Sequence, residues 1–201
     1  MTDKLKDLLL TFDSISLDEM DAVSLMKRTD TKFVFSKATL PLILSGLSEN
    51  YSLLYVNSAY SNKYSTLYYD TPDLKFFSEH QNGKLNRYKV RSRKYVESDT
   101  CFLEIKFKNN KGKTIKTRIK KDKIEEVLSP SALDFITQKA PSIGKNLNAE
   151  QWNSFSRLTL VGKNIFERVT IDLGLEFKNK NGTVMTNNIV VAEIKQEKYN
   201  V

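Results

Sequence analysis

The sequence predicts an α+β domain, an antiparallel β-barrel or tunnel with a charged interior and short helices covering its outside. Three observations predict it. Segment after segment alternates charged with apolar residues at period two, as a strand with two unlike faces does. The charged set is nearly all positive, and the segments are separated by Gly-, Asn- and Pro-containing turns or short amphipathic stretches. The apolar faces must be covered, which the helices can do; closing the sheet would turn the charged faces inward and remove edge strands.

The pattern is clearest over residues 84–120. Arg87, Lys89, Arg91 and Arg93 alternate with Tyr88, Val90 and Ser92, and Glu104, Lys106 and Lys108 alternate with Leu103, Ile105 and Phe107. After a hairpin turn at Asn109-Asn110-Lys111-Gly112, Lys116, Arg118 and Lys120 alternate with Ile115, Thr117 and Ile119. Like charges two residues apart on a strand lie roughly 6–7 Å from each other and repel by on the order of 2–3 kcal/mol at an effective dielectric near 20. Such a face is either screened by solvent or neutralised by an anion. Solvated faces usually mix signs, and here Glu104 alone offsets the cations, so the face reads as a site for a polyanion.

Composition sets bounds. The 201 residues suit one domain, and 32 Lys+Arg against 24 Asp+Glu leave a net charge of +8, much of it in residues 84–123. The single cysteine, Cys101, excludes an internal disulfide and a Cys-cluster metal site, and the single histidine, His80, excludes a His-based one. No apolar run approaches the ~18 residues of a membrane span, and no signal peptide opens the chain, so the expected location is cytoplasmic. A single-stranded RNA binder would interleave aromatic residues on the basic face, whereas Tyr88 and Phe107 fall on the opposite one.

Taken in order, residues 3–10 and 16–26 read as short helices, the second opening on a capping box of Ser16 and Glu19. Arg28, Asp30 and Lys32 share one face of a strand over 28–35; Ser36 then caps a helix to Leu47 that contains Pro41. Strands are expected over 51–56 and 64–70, and a helix from Thr71-Pro72-Asp73 to Gln81. After the three charged strands, 121–128 and 130–139 read as helices, 141–148 as a loop, and the Trp152 region as a further helical turn. Strands follow over 156–160 and 164–172, then a hairpin about Asn181-Gly182 joining 175–178 to 183–185, and a last strand over 188–195. Tyr68, Tyr69, Phe76 and Phe77 read as core or helix-packing residues.

The ordered set Arg28-x-Asp30-x-Lys32-Phe33, Tyr68-Tyr69-Asp70-Thr71-Pro72, Arg87-x-Lys89-Val90-Arg91-x-Arg93, Phe102-Leu103-Glu104-Ile105-Lys106, Glu167-Arg168-Val169-Thr170-x-Asp172 and Ala192-Glu193-Ile194-Lys195 resembles the motif series of the vacuolar transporter chaperone (VTC) domain, of the triphosphate tunnel metalloenzymes. The resemblance spans residues 28–195. It implies a tunnel that binds ATP, triphosphate or polyphosphate with Mn²⁺ or Mg²⁺, and in polymerase members moves the terminal phosphate of ATP onto a polyphosphate chain. It implies no specific nucleic-acid partner and leaves any membrane-complex partner unnamed. Lys32, Arg91, Arg93 and Arg168 would be the catalytic cations. Arg28, Arg87, Lys89, Lys106, Lys116, Arg118, Arg157 and Lys195 would be further phosphate ligands, with Glu193 as the metal-binding acid and Glu104 as a second metal ligand or a salt-bridge partner of Arg91 or Lys106. Asp30 and Asp172 would orient neighbouring bases. Hydrolytic relatives begin Glu-x-Glu-x-Lys; this sequence begins Arg28-x-Asp30-x-Lys32 and has fewer carboxylates to orient a water, which favours polymer transfer or binding over hydrolysis, with a triphosphatase or a non-catalytic polyphosphate or nucleotide sensor as the alternatives. The family continues past the final Glu-x-Lys strand into a C-terminal helix, which this sequence, ending at Val201, is expected to lack.

Overall fold

A computed structural model describes residues 3–22 and 28–197. The elements are α1 (Asp3–Leu9), β1 (Ser14–Ile15), α2 (Leu17–Ala22), β2 (Arg28–Ser36), a 3-10 turn (Lys37–Thr39), α3 (Leu40–Leu47), β3 (Tyr51–Leu54), β4 (Asn62–Asp70), α4 (Lys75–Gln81), β5 (Arg87–Tyr95), β6 (Thr100–Lys108), β7 (Thr114–Lys121), α5 (Pro130–Lys139), a 3-10 turn (Pro141–Ile143), β8 (Asn148–Gly162), β9 (Glu167–Asn179), β10 (Gly182–Thr186) and β11 (Ile189–Glu197). The predicted fold class is the observed one: mostly antiparallel sheet with a few short helices.

The chain divides into two compact units, one of residues 1–63, 155–175 and 185–201, the other of residues 64–154 and 176–184. In the first, β11 lies antiparallel between β2 and β9, β3 pairs antiparallel with β8, and β1 runs parallel to β3. Its core gathers Leu5 and Leu9 of α1 and Leu40 and Leu44 of α3 against Leu158, Leu160, Ile171 and Val190 of the strands. Burying each such side chain contributes about 1.5–3 kcal/mol, which is what keeps two short helices on the apolar face of the sheet.

In the second unit β4, β5, β6 and β7 follow one another as an antiparallel meander. The apolar members of the alternation, Leu67, Tyr69, Val90, Leu103 and Ile105, form a core with Phe76 of α4 and Ala132, Phe135 and Ile136 of α5. Tyr88 stacks on Phe107 with ring centroids 4.6 Å apart, on the side expected for both. The register sets Arg91 opposite Glu104, Lys89 opposite Lys106, Glu104 opposite Arg118 and Lys106 opposite Lys116, so the charged members share the other face.

Local signals mostly hold. Ser16 N donates to Glu19 Oε2 at 2.8 Å and Glu19 N to Ser16 Oγ at 3.3 Å, which is the capping box; the rest of that predicted helix, 23–27, lies outside the described residues. Ser36 Oγ accepts from Ala38 N at 3.3 Å, but it caps the 3-10 turn, and the α-helix begins only at Leu40 with Pro41 in its first turn. At Gly162 an added Cβ would stand 2.5 Å from the Ile165 carbonyl oxygen, so the turn into β9 requires glycine there.

Three expectations are corrected. Residues 122–128 are not helical. The Glu125 carbonyl, which a helix would commit to residue 129, accepts instead from the Tyr69 hydroxyl at 2.5 Å, while its carboxylate takes the Ser129 N–H at 3.1 Å and Lys121 at 2.9 Å. The Trp152 region is strand, within β8, with its indole packed against the core of the second unit. The helix placed from Thr71 starts at Lys75, because the buried Asp70 accepts from the Thr71, Phe76 and Phe77 amides at 2.7–2.8 Å and Leu74 turns through φ 54°.

Candidate phosphate-binding site

Each unit carries one group of the predicted site residues. In the second it is built on β4–β7. Arg91 is 7 % exposed and Glu104 is fully buried. Arg91 Nε and Nη2 reach Glu104 Oε2 at 2.7 and 2.6 Å, Lys116 forms an ion pair with Oε1, and Arg91 Nη1 donates to the Tyr68 hydroxyl at 3.3 Å. Burial alone would raise the Glu104 carboxyl, but Arg91 and Lys116 override it and hold the group at about 2. Glu104, named above as a second metal ligand, therefore meets cations with both oxygens.

Lys106 is half-buried beside them. Loss of water, with the charges of Arg91, Lys116 and Arg93 around it and only Glu104 in its favour, pushes its ammonium down to about 7. Arg93 Nε donates to Thr66 Oγ1 at 3.0 Å and lies 5.4 Å from the Tyr64 ring; Arg118 is exposed, 4.3 Å over Phe102. Lys89 lies 3.1 Å from His80 Nε2, and Arg87 donates to the Lys84 carbonyl at 2.7 Å. Several cations thus surround a single carboxylate. An anion with several charged oxygens would relieve that excess.

The first unit holds the rest. Glu193 of β11 sits opposite Lys32 of β2 and forms an ion pair with Lys195, two residues along the same strand. Burial raises its carboxyl, yet Lys195, Lys32 and Arg157 lower it further and keep it ionised. Arg157 makes a bidentate pair with Asp172, Nε to Oδ1 at 2.6 Å and Nη2 to Oδ2 at 2.7 Å, which is the orienting role expected of Asp172. Asp30 sits opposite Lys195 in the strand register. Arg168 donates to the Met20 carbonyl at 2.9 Å, Lys32 is exposed, and the Arg28 side chain lies outside the described residues.

Among the described residues no three His, Cys, Asp or Glu side chains gather to hold a metal by themselves. The half-buried, ionised Glu193 suits Mg²⁺ or Mn²⁺ where phosphate oxygens and water complete the octahedron. The residues present fit a metal that arrives with its phosphate.

Two residues escaped the sequence reading. Tyr68, expected in the core or against a helix, instead pairs in register with Arg91 and bonds to it, while Tyr69 takes the core side. Parity along β4 is the signal that separates them. Phe77 is 57 % exposed, unlike its buried neighbour Phe76.

The strands of the second unit thus present one apolar, helix-covered face and one cationic face. The sequence matches the VTC domain over residues 27–201, and the chain belongs to that family. A search of curated proteins returns no match. Among solved structures the chain is similar to an adenylyl cyclase candidate from Hippeastrum described as revealing a dominant triphosphatase activity, at 13 % identity and TM-score 0.52, over 86 % of this chain and 80 % of that one. It is also similar to an adenylate cyclase candidate from Vibrio parahaemolyticus, at 12 % identity and TM-score 0.50, over 87 % and 79 %. At these identities the likeness is one of fold. No helix among the described residues is long and apolar enough to cross a membrane.

Proposed function

We propose that the chain is a polyphosphate polymerase that transfers the terminal phosphate of ATP to a polyphosphate chain. The observation that carries this reading is the cluster of Arg91, Lys106, Lys116 and Arg93 about the single buried carboxylate of Glu104. Glu104 fixes Arg91 in place, and the remaining positive charge is left for phosphate oxygens. A terminal oxygen of the growing chain would attack the γ-phosphorus; the bond from that phosphorus to the bridging oxygen breaks, and ADP leaves. No proton need be removed from an anionic phosphate nucleophile, so the protein's work is positioning and charge neutralisation. Arg91 and Arg93 present forked donors and Lys106 and Lys116 act as point charges. Lys32, Arg157, Arg168 and Lys195 would supply further cations. Glu193 would hold Mg²⁺ or Mn²⁺, which supplies further neutralisation of phosphate charge.

Incubation with ATP and Mn²⁺, followed by a gel separating polyphosphate from orthophosphate, tests the reading. Long polyphosphate is the expected product, lost in Glu193→Gln. Orthophosphate alone would make the chain a triphosphatase, and triphosphate binding without turnover would make it a sensor.

A further inference from the structure

Parity along β4 sets Tyr68 on the cationic face, opposite Arg91, and Tyr68 also lines a cleft of about 600 Å³ in the second unit, between α4, the starts of β5 and β8, and the β9–β10 hairpin. A hydroxyl with a path to solvent thus stands among cations. Arg91 commits Nε and Nη2 to Glu104 Oε2, at 2.7 and 2.6 Å. Nη1 is the nitrogen that this carboxylate does not engage, and it is Nη1 that donates to the Tyr68 hydroxyl at 3.3 Å. A guanidinium Nη carries two N–H groups, so a phosphoryl oxygen that takes the second one is brought beside the phenol oxygen. Burial alone would raise the hydroxyl's pKa, but Arg91, Arg93 and Lys89 bring it below the ordinary 10 and favour the oxygen in its nucleophilic form. Neighbouring hydroxyls are placed otherwise. Thr66 is fully buried and accepts from Arg93 Nε at 3.0 Å, and Ser92 and Tyr69 bond each other at 2.9 Å on the core side.

We propose that Tyr68 is the first phosphoryl acceptor of this site: its phenol oxygen takes the γ-phosphoryl group of ATP, and the phosphotyrosine so formed is the end from which polyphosphate grows. The proposal rests on the polymerase reading and supplies an acceptor for the first phosphate when no chain is present. In the step the phenol gives its proton to solvent, the phenolate oxygen bonds to the γ-phosphorus, the bond from that phosphorus to the β–γ bridging oxygen breaks, and ADP leaves with the electron pair. The products are phosphotyrosine, ADP and one proton. A terminal oxygen of the phosphotyrosine then attacks the next γ-phosphorus, the same displacement that lengthens the chain. Arg91, Arg93 and Lys89 neutralise the phosphoryl oxygens in both.

Incubation of the full chain with ATP and Mn²⁺, with no phosphate chain added, followed by peptide mass mapping, is expected to find phosphate esterified to Tyr68. Tyr68→Phe is expected to slow polyphosphate formation from ATP alone by roughly tenfold or more, and to change the rate with tripolyphosphate supplied as acceptor by less than about twofold. A tyrosine that only positioned Arg91 would slow both reactions alike. Polyphosphate made from ATP alone with Tyr68 unmodified, phosphate on Tyr64 or on a lysine in its place, or the same effect of Tyr68→Phe on both reactions overturns the priming role and leaves the polymerase reading standing. No polyphosphate even with tripolyphosphate supplied overturns the polymerase reading, and the priming role with it.

Discussion

Lys106 and Glu104 carry opposite consequences for stability. The folded-state pKa of Lys106 lies near 7, below its ordinary value of 10.5, so the unfolded chain binds more protons between those values and stability from this group rises as pH rises through that window. Replacing the half-buried lysine by methionine removes a charge that its cationic neighbours disfavour, and Lys106→Met is expected to stabilise the fold by about 1–4 kcal/mol near neutral pH, read by urea denaturation. Glu104 runs the other way. Its folded pKa of about 2 lies below the ordinary 4.5, so its contribution is present above 4.5 and is lost as pH falls through about 2. Glu104→Gln strands Arg91 and Lys116 and is expected to cost about 3–5 kcal/mol, with the acid limb of the stability profile flattened. Neither pKa was legible in the sequence. Alternation placed both groups on the charged face, but burial depends on the neighbouring strands and on the Arg91–Glu104 register.

Among the elements, strands were read better than helices because their alternation is continuous. The charged meander of 87–121 and the Asn181-Gly182 hairpin follow from period two and turn chemistry alone. The misread segments, 122–128 and the Trp152 region, are held by Tyr69 and by the core of the second unit, neither of them a local signal. The late start of α4 has a nearer cause. Asp70 takes the amides that would otherwise be left open at the start of the helix, so Asp70→Ala is expected to cost about 0.5–2 kcal/mol. Thermal unfolding would measure that loss; a melting temperature unchanged from that of the unaltered chain would count against the cap. The Tyr-Tyr-Asp-Thr-Pro motif thus contributes one core residue, one partner of Arg91 and one helix cap.

Two units, each with its own apolar core and its own cationic group, share a chain of net charge +8. The family was legible because its motifs fall in order along the strands of both units, and the match over residues 27–201 bears that out. The division into two units was not legible, since residues 155–175 and 185–201 return to the first unit from far along the chain. A polyanion held by exposed and half-buried cations should bind less tightly as salt is added. Proton linkage gives a sharper readout of where it binds. At about pH 8.5 Lys106, with its pKa near 7, is mostly neutral in the free protein. Phosphate oxygens beside Lys106 would restore its charge, so calorimetry in two buffers of different ionisation enthalpy is predicted to find about one proton more taken up per tripolyphosphate bound by the unaltered chain than by Lys106→Arg, a difference that cancels any proton the ligand itself releases. Binding with the same proton uptake in the unaltered chain and in Lys106→Arg would mean that the phosphate chain does not lie on this strand face.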